Sequence, residues 1–482
     1  MDTLTGLLID GRWLDREPKF PVTNPWDSSR VGEVPAATEE DVDLAVAAAE
    51  SGFETMRRLA ACQRCAILDR AAALLEERRD LFTDTIIAES GKPRRYAAAE
   101  AARAVQTVRL SAEAGRNLHG ETVPLDAAPG SENRRGFYIR VPLGVVGAIT
   151  PFNFPLNLVC HKVAPALAAG NSVVLKPASA TPLTALLLGQ VLLDAGLPDG
   201  ALNIVTGSGP DVGMALVRDA RVRMLTFTGS APVGERIRTA AGLKKVALEL
   251  GSNSGAIIDE TTNLEVALER CLVGGFAYSG QVCIHTQRLL LHESLAEHFT
   301  ARFVARAREL ACGDPALDET EVGPMIDRGS LEQALAVIDG ARETGARILC
   351  GGLAEGPVLL PTVIDRVEPD MPVVSEETFA PVVTVETFGS FDEALDLFNR
   401  GSAAGSHDYG LACGVFTRDV NRALRAAERL DVGNVHVNDS ATFRADLQPY
   451  GGVRDSGLGR EGPRFAVEEM TDIRMVSFNL DS

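Results

Sequence analysis

No uninterrupted apolar run in this 482-residue chain approaches the roughly 20 residues that a membrane-spanning helix needs. The first six residues lack the basic start and the long apolar core of a secretory signal peptide. The eight cysteines show no spacing that would suit a disulfide framework. These absences predict a cytoplasmic protein in a reducing compartment, with no membrane partner.

The chain is also poor in positive charge. Its 47 lysines and arginines are outnumbered by 66 aspartates and glutamates, which gives a formal net charge of −19 at pH 7. Because such a protein repels a nucleic-acid backbone, we expect no nucleic-acid partner. An anionic ligand would need a locally cationic pocket.

Metal-ligand spacing is missing as well. Cys62 and Cys65 form a CxxC pair inside a helical pattern, but no second pair accompanies them to complete a zinc site. None of the histidines stands at metal-ligand spacing. We interpret the two cysteines as helix residues rather than a redox or metal motif, and we expect no metal.

The pattern that is present is one of alternating strands and helices. Residues 145–149 and 172–176 read as buried strands, and residues 157–169 between them read as a helix. Such repetition predicts an α/β fold with a parallel sheet, which binds nucleotides at the carboxyl ends of its strands. A second α/β series runs from residue 255 to about residue 438, and the length predicts two or three domains.

The remaining segments have other patterns. Helices are predicted from an N-cap at Thr38 to about Leu118. Prolines and glycines interrupt residues 120–142, and the alternation in residues 136–141 predicts a strand. Residues 472–478 predict a terminal strand.

Cys283 is the first candidate for chemistry. It follows a run of small residues that ends at Gly280, and it lies between the apolar residues Val282 and Ile284. The glycine permits tight turns and close backbone approach before the thiol. A buried cysteine is more often a small apolar residue than a nucleophile, so this stretch alone leaves both interpretations open.

Two further candidates lie in or just after predicted strands. Asn153 lies in a loop fixed by Pro151 and Pro155, which would orient its amide as an oxyanion donor or simply make a rigid turn. Glu249 lies in an apolar strand, where burial would make it a general base near neutral pH. The alternative is a surface glutamate on an edge strand.

Two stretches suit an anionic cofactor. Lys176 ends a strand and either reaches a ribose or phosphate or is a solvated loop lysine. The stretch at 226–235 ends a strand and opens a helix, where Ser230 can act as the cap. It is not a G-x-G-x-x-G sequence, so by itself it does not define a dinucleotide site.

Taken in order, these stretches resemble the motifs of the aldehyde dehydrogenase superfamily, and the resemblance covers essentially the whole chain. The matching motifs are PFNFP at 151–155, LKPA at 175–178, FTGSAPVG at 227–234, LELG at 248–251, GQVC at 280–283, EETFAPV at 376–382 and PYGGVRDSGLGREG at 449–462.

The resemblance implies three structural parts. These are a Rossmann-type cofactor domain of residues 1–119 and 141–250, an α/β catalytic domain of residues 251–442, and a small β oligomerisation arm and tail of residues 120–140 and 443–482. It also implies a homodimer or homotetramer in which the arm extends a neighbour's sheet.

The resemblance also implies roles for individual residues. Cys283 would be the nucleophile, Asn153 with the Cys283 backbone N–H the oxyanion hole, and Glu249 the base. The cofactor would be NAD or NADP, with NAD slightly favoured. Lys176 and Glu377 would hold ribose hydroxyls, Ser230 the pyrophosphate and Phe379 the nicotinamide side. The full set of implied cofactor positions is Thr150, Pro151, Lys176, Ser179, Gly229, Ser230, Val233, Glu377 and Phe379.

The chain departs from the family pattern at several positions. Phe152 replaces a tryptophan, Ala380 a glycine, and Ser252 with Asn253 a glycine–lysine pair. Ser179 stands where members that prefer NAD often carry a glutamate. The loss of that carboxylate removes a repulsion against a 2′-phosphate, so NADP is also compatible with this position.

The motifs distinguish three functional alternatives. Oxidation of an aldehyde to the acid requires all three catalytic residues, and all three are present. Members that transfer the acyl group to coenzyme A generally lack the glutamate at the position of Glu249. A non-catalytic descendant would have lost the thiol or its amide partner.

The substrate prediction rests on Arg103, His161 and Arg444, which fall where family members line the aldehyde tunnel, together with Val282 and Ile284 beside the thiol. The residues around His161 and Arg444 resemble the branch that includes lactaldehyde and phosphonoacetaldehyde dehydrogenases. Each cation alone could be an ordinary ion pair or a satisfied histidine. Three of them in so acidic a protein predict a small aldehyde with an anionic group, a phosphonate or phosphate ahead of a carboxylate. An uncharged hydroxyaldehyde is the alternative.

Overall fold

The computed structural model describes residues 6–480. Residues 1–5, on which most of the signal-peptide prediction rests, and residues 481–482 of the tail lie outside the described part. Between residues 6 and 480, no helix combines the length and the apolar character that crossing a membrane requires.

The first half of the chain forms a helical layer and a mixed sheet. Its strands are β1 (Leu7–Ile9), β2 (Arg12–Leu14), β3 (Lys19–Thr23), β4 (Arg30–Pro35), β5 (Thr122–Val123), β6 (Arg134–Pro142), β7 (Val145–Ile149), β8 (Ser172–Lys176), β9 (Leu202–Ile204), β10 (Val222–Thr228) and β11 (Lys245–Glu249). Its helices are α1 (Glu39–Met56), α2 (Ala61–Glu77), α3 (Arg79–Ser90), α4 (Arg94–Arg116), α5 (Asn157–Ala169), α6 (Leu183–Asp194), α7 (Met214–Arg218) and α8 (Ala231–Ala241).

The second half repeats the α/β arrangement. Its strands are β12 (Gly255–Ile258), β13 (Arg288–His292), β14 (Arg347–Cys350), β15 (Ala354–Glu355), β16 (Val358–Leu359), β17 (Thr362–Asp365), β18 (Val382–Phe388), β19 (Ala412–Phe416), β20 (Asn434–Val437), β21 (Gly457–Leu458) and β22 (Thr471–Asn479). Its helices are α9 (Leu264–Phe276), α10 (Glu293–Arg308), α11 (Arg328–Glu343), α12 (Pro372–Ser375), α13 (Phe391–Ala403), α14 (Val420–Arg429) and α15 (Pro463–Glu469).

The first sheet has the order β2-β1-β9-β8-β7-β10-β11-β21, and its five central strands from β9 to β11 are parallel. Its register pairs Ile149 with Lys176 and Thr228 with Glu249. The predicted site residues therefore emerge at the carboxyl edge of one parallel sheet, which confirms the α/β prediction.

The second sheet has the order β14-β17-β18-β13-β12-β19-β20, with only β14 antiparallel. Its central strands are largely buried and mostly apolar, and Ile257, Leu290 and Val415 are each 0% exposed. Helices therefore cover both faces, as expected for a parallel sheet.

A long antiparallel ribbon lies apart from these two sheets. Strand β22 pairs with β6 from Thr471↔Pro142 to Asn479↔Arg134, and β5 adds a third strand. Phe137, Ile473 and Phe478 on this ribbon are exposed apolar residues.

The tail divides between two locations. The prediction grouped residues 443–482 with the arm, but β21 pairs with β11 in the first sheet, and α15 packs against α4 and α5. A two-residue strand carries no periodicity, so the sequence pattern did not reveal this pairing.

The cap at Thr38 agrees with the prediction. Its hydroxyl accepts from the Asp41 backbone N–H, and the Asp41 carboxylate accepts in return from the Thr38 backbone N–H. This reciprocal pair fixes the start of α1.

Candidate active site

A cavity of about 1320 Å³ lies at the carboxyl edge of the first sheet. Both Asn153 and Cys283 line it. So do eight of the nine predicted cofactor residues, namely Thr150, Pro151, Lys176, Gly229, Ser230, Val233, Glu377 and Phe379. The ninth, Ser179, is absent from the lining and donates its hydroxyl to the carbonyl of Gly207 at 2.7 Å.

The segment before Cys283 has an unusual backbone. Tyr278, Ser279 and Gly280 have φ values of 50°, 54° and 68°, so three successive residues are left-handed. A Cβ on Gly280 would lie 2.1 Å from the carbonyl oxygen of Ala380. Only glycine therefore lets this segment pack against the loop that carries Glu377 and Phe379.

Cys283 lines the cavity with its thiol beside one polar group. The Sγ lies 2.9 Å from the hydroxyl of Tyr450. Burial raises the pKa of this thiol to about 11, against the opposing effects of the Tyr450 hydrogen bond and the positive charge of Arg444. Val282 and Ile284 belong to the small apolar cluster around Tyr450.

Asn153 is held next to the nucleophile segment. One N–H of its Nδ2 donates to the carbonyl of Gln281 at 2.9 Å, and the residue is 3% exposed. Because an amide nitrogen carries two hydrogens, the second remains available to an oxyanion. The loop is packed by Phe152, whose ring meets the edge of Phe379 with centroids 5.8 Å apart.

Glu249 ends β11 and is 5% exposed. Strand β11 lies between β10 and β21, so the alternative of a surface glutamate on an edge strand is wrong. Its Oε2 has no hydrogen-bond partner within residues 6–480. Burial and the nearby charge of Glu461 raise its pKa well above the ordinary value, as the sequence prediction required of a general base.

Behind Glu249 lies a buried cluster that the sequence analysis did not identify. Glu461 accepts from Lys162 Nζ at 2.8 Å and from Arg444 at 3.0 Å. Burial alone would raise the pKa of Glu461, but the two cations hold it at about 2. Lys162 also donates to the hydroxyl of Thr226 at 3.2 Å. Two cations therefore share one carboxylate.

A second cluster surrounds Asp446 and accounts for two of the three predicted substrate cations. Arg103 binds Asp446 through two hydrogen bonds of 2.7 and 3.1 Å, and His161 Nε2 lies 3.0 Å from the same carboxylate. Burial and the charge of Arg444 lower the pKa of His161, so it is neutral at pH 7. Of the three predicted substrate cations, Arg103 is bound to Asp446 and His161 is neutral, so Arg444 is the one that remains a candidate.

Within residues 6–480, neither Lys176 nor Glu377 has such a counter-ion. Lys176 is 4% exposed and donates to the carbonyl of Pro177, and burial lowers its pKa to about 8. The alternative of a solvated loop lysine is therefore wrong. Glu377 accepts from the Ser252 backbone N–H at 2.9 Å, and burial raises its pKa to about 7.

Ser230 differs from its prediction in one respect. It occupies the N-cap position of α8, but its side chain makes no capping hydrogen bond. Pro232 has no N–H and the Val233 N–H donates to the carbonyl of Ser230 at 3.1 Å, so the Ser230 hydroxyl and the Ala231 N–H are the groups at the start of α8 that remain open to a ligand.

Comparisons with known proteins agree with this geometry. The sequence model of the Aldehyde dehydrogenase family matches residues 13–476. The chain is 42% identical over 475 residues to 3-sulfolactaldehyde dehydrogenase of Priestia aryabhattai, covering 98% of each protein.

Two solved structures are similar over nearly their full length. Aldehyde dehydrogenase 21 from Physcomitrella patens, in complex with the reaction product succinate, is 38% identical with a TM-score of 0.95, covering 99% of this chain and 98% of the other. Glyceraldehyde-3-phosphate dehydrogenase GapN from Methanocaldococcus jannaschii, complexed with NADP, is 37% identical with a TM-score of 0.92, covering 97% and 100%.

The chain belongs to the aldehyde dehydrogenase family. It is therefore an oxidoreductase that acts on aldehydes.

Proposed function

We propose that the protein oxidises a small anionic aldehyde to its carboxylic acid, with Cys283 as nucleophile, Asn153 as oxyanion donor and Glu249 as base. The observation that carries this proposal is that Cys283 and Asn153 line one cavity while the buried Glu249 has a raised pKa beside it. Each of the three groups is then available for the role that the family resemblance implies.

The residues of the cavity fit a nicotinamide dinucleotide. The hydroxyls of Thr150 and Thr228 are buried without a hydrogen-bond partner in the described residues, and Lys176 and Glu377 have no counter-ion. A ribose would satisfy Lys176 and Glu377, and a pyrophosphate would suit Ser230 at the start of α8. When bound, the nicotinamide ring supplies a two-electron hydride acceptor.

The choice between NAD and NADP depends mainly on Ser179. Ser179 carries no negative charge, and its hydroxyl is already engaged with Gly207. A 2′-phosphate therefore meets no carboxylate at this position, and the similar GapN structure is complexed with NADP. NAD as the slightly favoured cofactor stays a prediction, which the ratio of kcat/KM for the two cofactors measures.

The protein's own groups perform the bond changes at the aldehyde. Cys283 Sγ, as a thiolate, bonds to the aldehyde carbon, and Asn153 Nδ2 donates to the oxygen that becomes negative. Oxidation of this adduct leaves an acyl group on Sγ. Glu249 then takes a proton from a water molecule, whose oxygen attacks the thioester carbon, and the acid leaves as Sγ is released.

The anionic substrate is supported by the charge around Glu461. Lys162 and Arg444 together exceed the single carboxylate they share by one positive charge. Arg444 Nε is buried and has no hydrogen-bond partner within residues 6–480. A sulfo group, a carboxylate and a phosphate occur in the names of the three similar proteins, and arginine recognises all three groups well.

A hydroxyaldehyde without a charge is the second candidate. His161 is neutral, so the nitrogen that faces Asp446 carries the hydrogen, and Nδ1 is a lone-pair acceptor. That Nδ1 is buried without a partner among the described residues. It suits a hydroxyl group of the substrate, with or without an additional anion.

An assembly of two or four copies is part of the proposal. The ribbon of β5, β6 and β22 leaves Ile139, Ile473, Met475 and Phe478 between 41% and 61% exposed, which is unusual for four apolar side chains on one element. Pairing with a second copy would cover them. An elution volume that corresponds to a single 51.2 kDa chain would contradict an assembly.

The reaction is tested by measuring NAD(P)H formation with a panel of small aldehydes, with and without coenzyme A. We expect the highest kcat/KM with aldehydes that carry a sulfonate, phosphate, phosphonate or carboxylate, and no dependence on coenzyme A. Preference for propanal would contradict the anionic substrate, and an absolute need for coenzyme A would contradict hydrolysis by Glu249.

A further inference from the structure

Tyr450 is the side chain in contact with the proposed nucleophile, and the mechanism above leaves it without a role. Its hydroxyl lies 2.9 Å from Cys283 Sγ, and the residue is 2% exposed. The hydroxyl has Sγ as its recorded hydrogen-bond partner. A buried phenol that faces a thiol is therefore positioned to act on the sulfur rather than on solvent.

The position of Tyr450 is fixed from three sides. Its backbone N–H and carbonyl pair with those of Glu461, at 3.0 and 2.7 Å. The guanidinium of Arg444 lies 3.7 Å from the centre of its ring, while the same guanidinium binds the Glu461 carboxylate. Ile284 and Leu411 pack in the same apolar cluster as the ring. The hydroxyl therefore has little freedom to leave the sulfur.

The direction of the hydrogen bond follows from the charges that face it. Arg444 is the cation beside Cys283 and Tyr450, while Glu249 and Glu377 are the acidic groups on the other elements around the thiol. Burial raises the pKa of Tyr450 well above its ordinary value, so the phenol keeps its proton and is the donor when the sulfur is ionised. A thiolate accepts such a hydrogen bond more strongly than a thiol does.

We propose that Tyr450 is a further catalytic residue, whose hydroxyl donates to Cys283 Sγ and stabilises the thiolate that attacks the aldehyde. This inference rests on Cys283 being the nucleophile of the proposed function. No electrons move in this step, since the hydroxyl proton is shared with Sγ and the thiol proton leaves to solvent or to a base. Arg444 serves the same thiolate by holding the ring and adding positive charge.

The test is the Tyr450→Phe enzyme, which keeps the ring and its stacking on Arg444 but lacks the hydroxyl. The rate of Cys283 alkylation by iodoacetamide is measured from pH 6 to pH 10, with the modified residue identified by mass spectrometry, because Cys62 and Cys312 are exposed. This range lies below the raised pKa of the Cys283 thiol, so the rate is proportional to the thiolate fraction. A hydrogen bond to a charged group corresponds to about one pKa unit or more, so the rate in Tyr450→Phe should be about tenfold lower at each pH.

Tyr138→Phe, on the β6 strand of the ribbon, is the matched control and should leave the profile unchanged. An unchanged alkylation rate in Tyr450→Phe would overturn the proposal even if turnover fell, because the residue would then act only by packing. If alkylated Cys283 left turnover intact, the nucleophile itself would be wrong, which is a different result.

A second measurement keeps the proposal testable if Tyr450→Phe does not fold. Replacement of the five tyrosines by 3-fluorotyrosine during expression makes the phenol more acidic and hence a stronger donor. Cys283 alkylation should then be faster at each pH, and an unchanged rate would count against the hydrogen bond.

Discussion

Ionisable groups on the cofactor wall of the cavity differ in their partners from those in the buried clusters behind Cys283. On the cofactor wall, Lys176 and Glu377 have no counter-ion among residues 6–480, and burial moves their pKa values to about 8 and about 7. Behind Cys283, Glu461 and Asp446 do not line the cavity and are each bound by two basic side chains. The cofactor wall is therefore incomplete without a ligand, while the clusters satisfy most of their charges internally.

This difference indicates different roles for the cofactor wall and for the buried clusters. An unpaired buried charge is costly, so groups such as Lys176 and Glu377 gain stability when a ligand with hydroxyls or phosphates supplies their partners. A paired cluster instead sets the local potential and holds side chains in place. Glu249 is the exception beside the Glu461 cluster, because it is buried near the charged Glu461 and its Oε2 has no partner among residues 6–480. That exception is what a general base requires.

The largest effect on turnover is expected at Glu249. Glu249→Gln should lower steady turnover by about 10²–10⁴-fold, because general-base catalysis of thioester hydrolysis is lost. A burst of reduced cofactor should remain, because attack by the thiolate does not use this carboxylate. Glu113→Gln on the exposed face of α4 is the control in stopped-flow absorbance at 340 nm. Unaltered steady turnover would assign the base elsewhere.

The next effect is expected at the oxyanion donor. Asn153→Ala removes both the hydrogen bond to Gln281 and the amide N–H that faces the cavity. Loss of one oxyanion donor typically costs about 10²–10³ in kcat. Binding of the cofactor, measured by fluorescence titration, should be unchanged. A loss confined to KM would mean that Asn153 binds the substrate without stabilising the oxyanion.

A smaller effect is expected at Arg444. Arg444→Ala should raise KM for the anionic aldehyde at least tenfold, or about 1.4 kcal/mol, and barely change KM for propanal. Arg109→Ala on the exposed face of α4 is the matched control. Equal changes for the two aldehydes would mean that the variant disturbs the packing around Tyr450 and that Arg444 does not recognise the anion.

The smallest effect is expected for Lys176 on the cofactor wall. Lys176 binds a ligand more strongly as an ammonium than as a neutral amine, so cofactor affinity should fall as the pH rises through about 8, where the free enzyme loses this proton. Lys176→Met should bind about tenfold more weakly at pH 7 and lose the pH dependence. Isothermal titration from pH 6.5 to pH 9.5 measures both. A dependence that persists in Lys176→Met would belong to another group.

The sequence predicted the elements of the parallel sheets well. Helix 157–169 and strand 172–176 have the predicted bounds, because their periodicity is long and is bounded by glycine and proline. Lys176 ends a strand and Asn153 follows one, as the sequence pattern predicted, while the catalytic and cofactor roles that the family resemblance implies for these residues and for Cys283 stay predictions.

The partners of these residues could not be read from the sequence. Asp446 lies 285 residues from His161, and Glu461 lies 299 residues from Lys162, so only the tertiary fold brings these charges together. Arg103 and His161 therefore looked like free cations. Tyr450 was visible within the PYGG motif, but its contact with Cys283 depends on the backbone pairing of Tyr450 with Glu461 and on the packing of Arg444 against the ring, neither of which has a local signal.

The most direct test of the account is to trap the acyl group on the nucleophile. Glu249→Gln is mixed with NAD or NADP and the best aldehyde of the panel, quenched in acid within one turnover, and digested for mass spectrometry. The account predicts that the Cys283 peptide gains the mass of the acyl group and that none forms in Cys283→Ala or without cofactor. An unmodified Cys283 after a full burst of reduced cofactor, or an acyl group on another residue, would contradict it.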